Sequence, residues 1–452
     1  MRRIQIVLFI FSVIAALAAL CALFPDGERH IAGLDIRFPS LHEMLAGEET
    51  EDIRLSPEEL IAQRKAAVKE AEKDRFEEFF ESDPARFYLP DGNPEYFDPL
   101  FKALEGASEK GVRIVHYGDS QIEEDRISSR IREALQERFG GYGQGMMPAM
   151  KYFTFGMGCD ASGEGDRFSV FGNKSDNSKY GPYGDFIRID STIQLNFRQM
   201  RSKDKGVMPF DRLSVLAGNV DGELRMRCAG KTLVATGDHS LSRYDFELPD
   251  SSLRASLVLS GKADIYGVLL DSREGVHLDN VAMRGCAGLV FTSISSEQLR
   301  RFYRDENVRL IILQYGGNSV PYTTSTKAVS NYAQAMRKQI TYLQKMAPEA
   351  RIVLIGPSDM STLVKGKRQT YPILPEYIDS LRANTNAAGA AYWDLYGAMG
   401  GWNSMVDWVN STPPLAGSDH VHFTRRGSEK VGEMFSDALL LYYDHYKLRK
   451  RR

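Results

Sequence analysis

Apolar and polar positions follow two different periods along this chain, and the change of period divides it. Beyond residue 94, short apolar runs recur at VRIVHY (112–117), LIILQY (310–315), RIVLIG (351–356) and AAYWDL (390–395). Between them lie stretches with helical spacing: a patch over Tyr96–Leu104, a helix carrying Ile127, Ile131 and Leu135, and the segments 328–345 and 374–388. Apolar strands alternating with helices predict an α/β domain, a mostly parallel sheet with helices on both faces. Residues 150–275 lose this rhythm. They are rich in Gly, Ser and Asp, with strand candidates near 186–197, 212–217, 223–228, 231–236, 244–248, 253–259 and 264–270. Turn signals at Gly218-Asn219, Asp221-Gly222 and Gly237-Asp238 separate several of them. The pattern predicts a β-sandwich inserted into the α/β domain.

The amino-terminal region has a third texture. Ile4–Phe24 is a run of 21 uncharged residues, long enough at about 1.5 Å per residue to cross a ~30 Å hydrocarbon core. Arg2 and Arg3 in front and an acidic flank behind predict a cytoplasmic amino terminus and export of everything that follows. The run also reads as a signal peptide cleaved after Ala18, through Ala16-Leu17-Ala18. Its continuation past that site favours an uncleaved anchor. Leu20 stands where a lipoprotein anchor at Cys21 takes a small residue. Over 56–81, Ser56 with Glu59 forms a capping box, Pro57 suits the first helical position, and the Ala/Lys/Glu interior predicts a solvated helical stalk. The expected organisation is an anchor or signal peptide (1–24), linker and stalk (25–83), two halves of one α/β domain (84–149 and 276–446), the β insert (150–275) and a basic tail (447–452).

Charge and cysteine content remove several function classes. With 57 basic and 60 acidic residues the net charge is −3, so no basic face is expected for nucleic acid. A hydrophobic content of 43% supplies a sizeable core and excludes global disorder. The four cysteines, at 21, 159, 228 and 286, have no CxxC spacing, which excludes a zinc ribbon and a disulfide-dense scaffold.

Four short blocks carry the candidate chemistry. Gly118-Asp119-Ser120 follows a strand and precedes a helix. A serine there is expected to have its N–H at a helix amino terminus, where free donors and the dipole favour a developing anion. It also stands at the carboxyl end of a strand, where open α/β sheets place their sites. Arg284-Gly285-Cys286-Ala287-Gly288 offers a close-approach glycine whose N–H could donate to an oxyanion. Gly316-Gly317-Asn318 follows LIILQY and offers an amide for the same purpose. Asp419-His420-Val421-His422 places an acid and an imidazole three residues apart, able to face a nucleophile brought from elsewhere. The carboxylate would fix the ring tautomer and the far nitrogen would take the serine proton.

In this order the blocks resemble those of the SGNH (GDSL-type) hydrolases. The resemblance implies a flavodoxin-like three-layer domain with Ser120 as nucleophile, Asp419 as triad acid and His422 as base. It implies oxyanion donors at Ser120, Gly288 and Asn318, with no metal and no cofactor. Two features depart from the family pattern. The serine and glycine blocks are 288 − 120 = 168 residues apart, a gap that the β insert fills, and the glycine block reads RGCAG. A catalytic domain split by a β insert, with GDSQIEEDRI (118–127) and WDLYGAMGG (393–401), is similar to the peptidoglycan O-acetylesterases of the bacterial envelope. In that branch the insert is similar to a carbohydrate-binding module. The expected function is therefore a serine esterase removing acetyl groups from an envelope glycan, first of all peptidoglycan. Its expected location is periplasmic or otherwise extracytoplasmic, held to the inner membrane by the amino-terminal helix. Action on another polysaccharide or O-acetyl transfer to a glycan is the alternative enzyme reading. The anchored transferases place the Asp-His pair ahead of the serine, the reverse of the order here. A non-catalytic glycan-binding envelope protein is the alternative from a different class.

Other residues read as structural. His420 rivals His422 but adjoins Asp419, and His116 lies within the first strand as a core or supporting histidine. Glu123, Glu124 and Asp125 are expected to complement the dipole of the following helix. GGYGQG (140–145) lacks the lysine of a phosphate loop and reads as a connection. Trp402 is expected in packing, with a place in a sugar cleft as the alternative. Tyr152, Phe153, Tyr180 and Tyr183 are expected in packing, with sugar stacking as the alternative.

Overall fold

A computed structural model describes residues 76–451 apart from 175–178, 201–207 and 238–239, together with short stretches before residue 38. The chain forms two compact units, 1–74 and 75–452. Within the first, Glu28–Ile31 and Leu34–Arg37 pair as an antiparallel hairpin. The Ile4–Phe24 run and the stalk up to residue 75 lie almost entirely outside the described residues. Among the described residues no helix is long and apolar enough to cross a membrane. The last turns of the expected stalk form a helix over 76–82. This piece is packed rather than solvated: Phe80 meets Tyr442 at 4.6 Å between ring centroids, and Phe76 meets His445 at 5.3 Å.

The second unit is organised around a six-stranded sheet. Its strands are β1 (Phe87–Tyr88), β2 (Val112–Gly118), β3 (Val276–Ala282), β4 (Val308–Gln314), β5 (Arg351–Ile355) and β6 (Ala391–Trp393). They are ordered β3-β2-β4-β5-β6-β1, all parallel except the antiparallel edge strand β1. The helices are α1 (Asp98–Glu105), α2 (Ser128–Phe139), α3 (Ser296–Asp305), α4 (Thr326–Met346), α5 (Leu374–Ala387) and α6 (Arg425–Lys450). Strand period two sorts the apolar side chains between two cores. Ile114, Leu310, Ile312 and Val353 face α1, α2 and α6, while Val115, Ile311, Leu313 and Ile352 face α3, α4 and α5. Burial on both faces explains why these strands read as unbroken apolar runs. Ser325 and Thr424 cap α4 and α6 by accepting the N–H groups of Ala328 and Gly427. The chain passes from β2 to β3 on one side and returns to β4 on the other, so the carboxyl end of β2 is a topological switch point.

The insert forms a separate ten-stranded antiparallel sheet. Its pairing begins at Gly143–Met147, ahead of the composition change at 150, because this strand joins the last strand of the insert, Arg254–Asp271. GGYGQG is thus the neck of the insert and the start of a strand. Gly141 and Gly275 let the entering and leaving chains touch, since a Cβ on Gly275 would lie 2.4 Å from the Gly141 Cα. The strand candidates 212–217 and 223–228 are one continuous strand, Phe210–Cys228, and 253–259 and 264–270 lie in Arg254–Asp271. The expected turns at Gly218-Asn219 and Asp221-Gly222 are register irregularities inside the first of these. The two long strands pair with each other in one continuous sheet, which has its own core around Leu195, Phe210, Val215 and Leu259. Conversely, 186–197 divides into two strands, Asp185–Ile189 and Thr192–Gln199, which pair with separate stretches of Arg254–Asp271 and not with each other.

The insert also shares a core with the α/β sheet, through Tyr183, Phe186, Leu216 and Tyr266. A buried ion network ties the two together. Arg113 on β2 contacts Asp271 of the insert at 2.5 Å, Asp279 on β3 at 2.6 Å and Glu306 at 3.3 Å. Arg243 of the insert reaches the same Glu306 at 2.5 Å. Cys159, Cys228 and Cys286 are buried free thiols.

Candidate active site

Ser120 sits just beyond the carboxyl end of β2, on a turn closed by Asp119 Oδ1 accepting the Gln121 N–H at 2.9 Å. The following α-helix does not start there. α2 begins at Ser128, and Glu124 and Asp125 before it have φ of 59° and 67°. The Ser120 N–H is therefore in a turn and not in the first turn of an α-helix, which removes the dipole argument for this position. The three acidic residues do not cap a helix either. Asp125 is fully buried and accepts from both terminal nitrogens of Arg132, at 2.7 and 2.8 Å, and from Gln144 at 2.8 Å. A carboxylate drawn into the core by a bidentate guanidinium holds the connection in its irregular path. Glu123 turns instead to Arg284, at 2.6 Å.

The loop before α6 brings the acid and the imidazole to the serine. The Ser120 hydroxyl donates to His422 Nε2 at 2.9 Å, and His422 Nδ1 donates to Asp419 Oδ2 at 2.7 Å. The other Asp419 oxygen accepts the N–H groups of Val421 and His422, each at 3.0 Å. Partial burial pushes the Asp419 carboxyl up, but these hydrogen bonds outweigh it and hold the group below its ordinary value. The three residues form the contiguous relay that the DxxH spacing predicts. His420 does not line the cleft: its φ is 57°, and burial and Arg368 lower its pKa.

The expected oxyanion donors are placed unequally. The Asn318 amide donates to Asp119 Oδ2 at 2.9 Å and to the Cys286 carbonyl at 3.1 Å, so both its hydrogens are engaged in the resting site. Asp119 is 4% exposed, and burial raises its carboxyl to about 6 despite the bonds from Gln121 and Asn318. Gly288 is not on the cleft wall. It is buried with φ 76°, its N–H donates to Cys286 Sγ at 3.3 Å, and a Cβ there would meet the Tyr315 ring at 2.6 Å. Close packing against β4 and α4 accounts for this glycine. Gly285, three residues earlier, is the glycine of the block that lines the cleft.

The cleft has a volume of about 510 Å³ and is lined by Ser120, His422, Asn318, Arg126, Arg284 and Met360 among others. Behind it, His116 is fully buried between Gln314 Oε1 at 3.2 Å and the Ser128 hydroxyl at 2.8 Å. Burial lowers its pKa to about 3, which keeps it neutral and structural. Trp402 is exposed and lies outside the cleft lining, and Tyr180 and Tyr183 are core residues. Gln121 carries no signal in the sequence: its amide donates to the Val421 carbonyl at 2.7 Å, a long-range contact with no local signature.

Residues 260–430 match the model of the GDSL-like lipase/acylhydrolase family. The match covers the glycine, asparagine and Asp-His blocks and stops short of the serine block, which the insert separates from them. A solved peptidoglycan O-acetylesterase superposes with a TM-score of 0.64 at 19% identity, over 79% of this chain and 97% of that one. A family two carbohydrate esterase from Cellvibrio japonicus gives a TM-score of 0.26 at 10% identity, over 63% and 99%. An acetyl xylan esterase gives 0.26 at 16% identity, over 36% and 81%. No curated protein matches by sequence. Residues 260–430 thus match the GDSL-like lipase/acylhydrolase family through three of the four blocks, and the chain shares the fold of the solved peptidoglycan O-acetylesterase.

Proposed function

We propose that this chain is a serine esterase that removes O-acetyl groups from a carbohydrate polymer, with peptidoglycan as its substrate. The observation that carries the reading is the relay of 2.9 and 2.7 Å from Ser120 through His422 to Asp419, open to a cleft at the switch point of the sheet. As the acetyl carbonyl is attacked by Ser120 Oγ, His422 Nε2 takes the serine proton and Asp419 stabilises the imidazolium. The oxyanion is met by the Ser120 N–H, by an N–H of the glycine block at Gly285, and by the Asn318 amide once it exchanges the Cys286 carbonyl for the new anion. His422 then returns its proton to the departing sugar oxygen. Water activated by the same ring releases acetate from the acetyl-Ser120 intermediate.

The substrate class is supported by the kinship of the fold to a peptidoglycan O-acetylesterase. An extracytoplasmic site of action, with the inner membrane as the partner of residues 4–24, is supported by the uncharged apolar run behind Arg2 and Arg3. The test is acetate release by the protein from O-acetylated peptidoglycan and from acetylated xylan. Preference for peptidoglycan is the expected result. Preference for xylan would move the substrate to another polysaccharide, and release from neither would remove the carbohydrate reading.

A further inference from the structure

A second cavity of about 290 Å³ adjoins the catalytic cleft, and Glu123 and Arg284 line both. Its near wall is the β3 end of the α/β sheet, and its far wall belongs to the insert, through Arg167, Phe171, Asn173 and Asp185. Phe171 is 46% exposed, unusual for a phenylalanine, and stands at the boundary between the two spaces. A Cβ on Gly285, in the catalytic cleft, would lie 3.9 Å from its ring. The charged groups here are already matched in pairs, Arg284 with Glu123 and Arg167 with Asp185, each at 2.6 Å. The cavity therefore presents donors and acceptors on fixed planar groups without a net charge. Asn173 is held in place as well, its amide donating to the Arg167 carbonyl at 3.1 Å.

We propose that this junction cavity is a saccharide subsite, in which Phe171 stacks on an uncharged sugar ring of the same glycan whose acetyl ester lies at Ser120. The inference rests on the carbohydrate esterase reading for the identity of the polymer. An aromatic face flanked by paired, planar hydrogen-bonding groups suits a neutral polyol, which offers C–H faces and hydroxyl edges together. A site that selected an anion would leave a guanidinium unpaired. The volume is near the ~300 Å³ lower bound of small-molecule sites, enough for a ring and not for a branched peptide. Gripping the chain one step away from the reacting ester would orient that ester without touching it.

The test is calorimetric titration of wild type, Phe171→Ala and Phe171→Trp with chitotetraose, xylotetraose and the tetrapeptide L-Ala-γ-D-Glu-L-Lys-D-Ala. Hydrolysis of 4-nitrophenyl acetate is measured in parallel. We expect a tetrasaccharide to bind wild type and Phe171→Trp, with at least about tenfold weaker binding to Phe171→Ala. Small-ester turnover should be the same in all three. Failure of both tetrasaccharides to bind, equal binding to Phe171→Ala, or Phe171-dependent binding of the tetrapeptide instead would overturn the proposal. Tetrasaccharide binding through Phe171 without acetate release from any glycan would remove the esterase substrate assignment and leave the subsite standing.

Discussion

The side-chain amide of Gln121 donates to the main-chain carbonyl of Val421 at 2.7 Å, across 300 positions of sequence. One residue after the serine is thereby tied to the residue before the histidine. The bond joins the two loops that carry Ser120 and His422, and the proposed mechanism makes Gln121 a positioning residue. Gln121→Ala and Gln121→Glu, which loses the donor at constant size, should each lower kcat on a small acetyl ester by about tenfold, ~1.4 kcal/mol in barrier. The melting temperature should hold. Equal kcat in wild type and both variants would show that the loops hold their register without this bond.

The choice between the two histidines follows from their directions. His422 bridges Ser120 and Asp419, whereas the His420 carbonyl accepts the Ser361 N–H at 3.3 Å and its backbone is left-handed. His422→Ala should lower kcat by at least about 10³-fold, and His420→Ala should leave most of the activity. Steady-state assays of both variants check this. The opposite ranking would reassign the base.

Asp119 gives a pH dependence in which stability and activity move in opposite directions. Burial raises its carboxyl from an ordinary 3.8 to about 6 in the folded protein. A raised folded value means that the folded state binds more protons, so the contribution to stability is present below pH ~4 and lost as pH rises through ~6. The carboxylate is nonetheless the form that accepts from both Gln121 and Asn318 and so holds the Asn318 amide that the proposed mechanism uses. Between pH 7 and 5 the Asp119 contribution to melting temperature should rise while its contribution to kcat falls. Comparison with Asp119→Asn, which cannot titrate, isolates both: its difference from wild type should change with pH across this window. A constant difference would contradict the assignment.

Arg113 should govern the integrity of the junction between the sheet and the insert. It is 1% exposed and compensates Asp271 and Asp279, which are both fully buried. Arg113→Met leaves those carboxylates unpaired and should cost about 3–5 kcal/mol of stability, read by urea denaturation. Below the transition, turnover of a small ester should be preserved, because Arg113 lies at the start of β2 and away from Ser120. A loss below about 1 kcal/mol would mean that water or rearranged partners replace the guanidinium.

Legibility in the sequence followed burial and distance. β2, β4, β5 and β6 were readable because both faces are buried and the runs stay apolar. β3 was not, because His277, Asp279 and Asn280 interrupt it. Asp279 is satisfied by Arg113 and Tyr183, partners 166 and 96 positions away. The long insert strands read as separate shorter ones because Gly218, Asn219, Asp221 and Gly222 serve register shifts with the same residues that make turns. The hydrogen-bonded row of Ser120, His422 and Asp419 was readable because Asp419 and His422 share a short loop and Ser120 lies just beyond a strand. The irregular path after Ser120 was not, since it depends on the burial of Asp125 against Arg132. The insert appeared separable by composition, yet Tyr183, Phe186 and Tyr266 complete the core of the α/β domain. Removing 150–275 would therefore expose that core rather than leave a working esterase.

The central claim is that Ser120 carries the acetyl group during turnover. It is tested most directly by acid-quenching wild type and Ser120→Ala during turnover of 4-nitrophenyl acetate and mapping the acetyl group by peptide mass spectrometry. The account predicts acetyl on the peptide containing Ser120 in wild type, none in Ser120→Ala, and a rate in the variant at least about 10³-fold lower. An acetyl group on another residue, or wild-type turnover by Ser120→Ala, would contradict it.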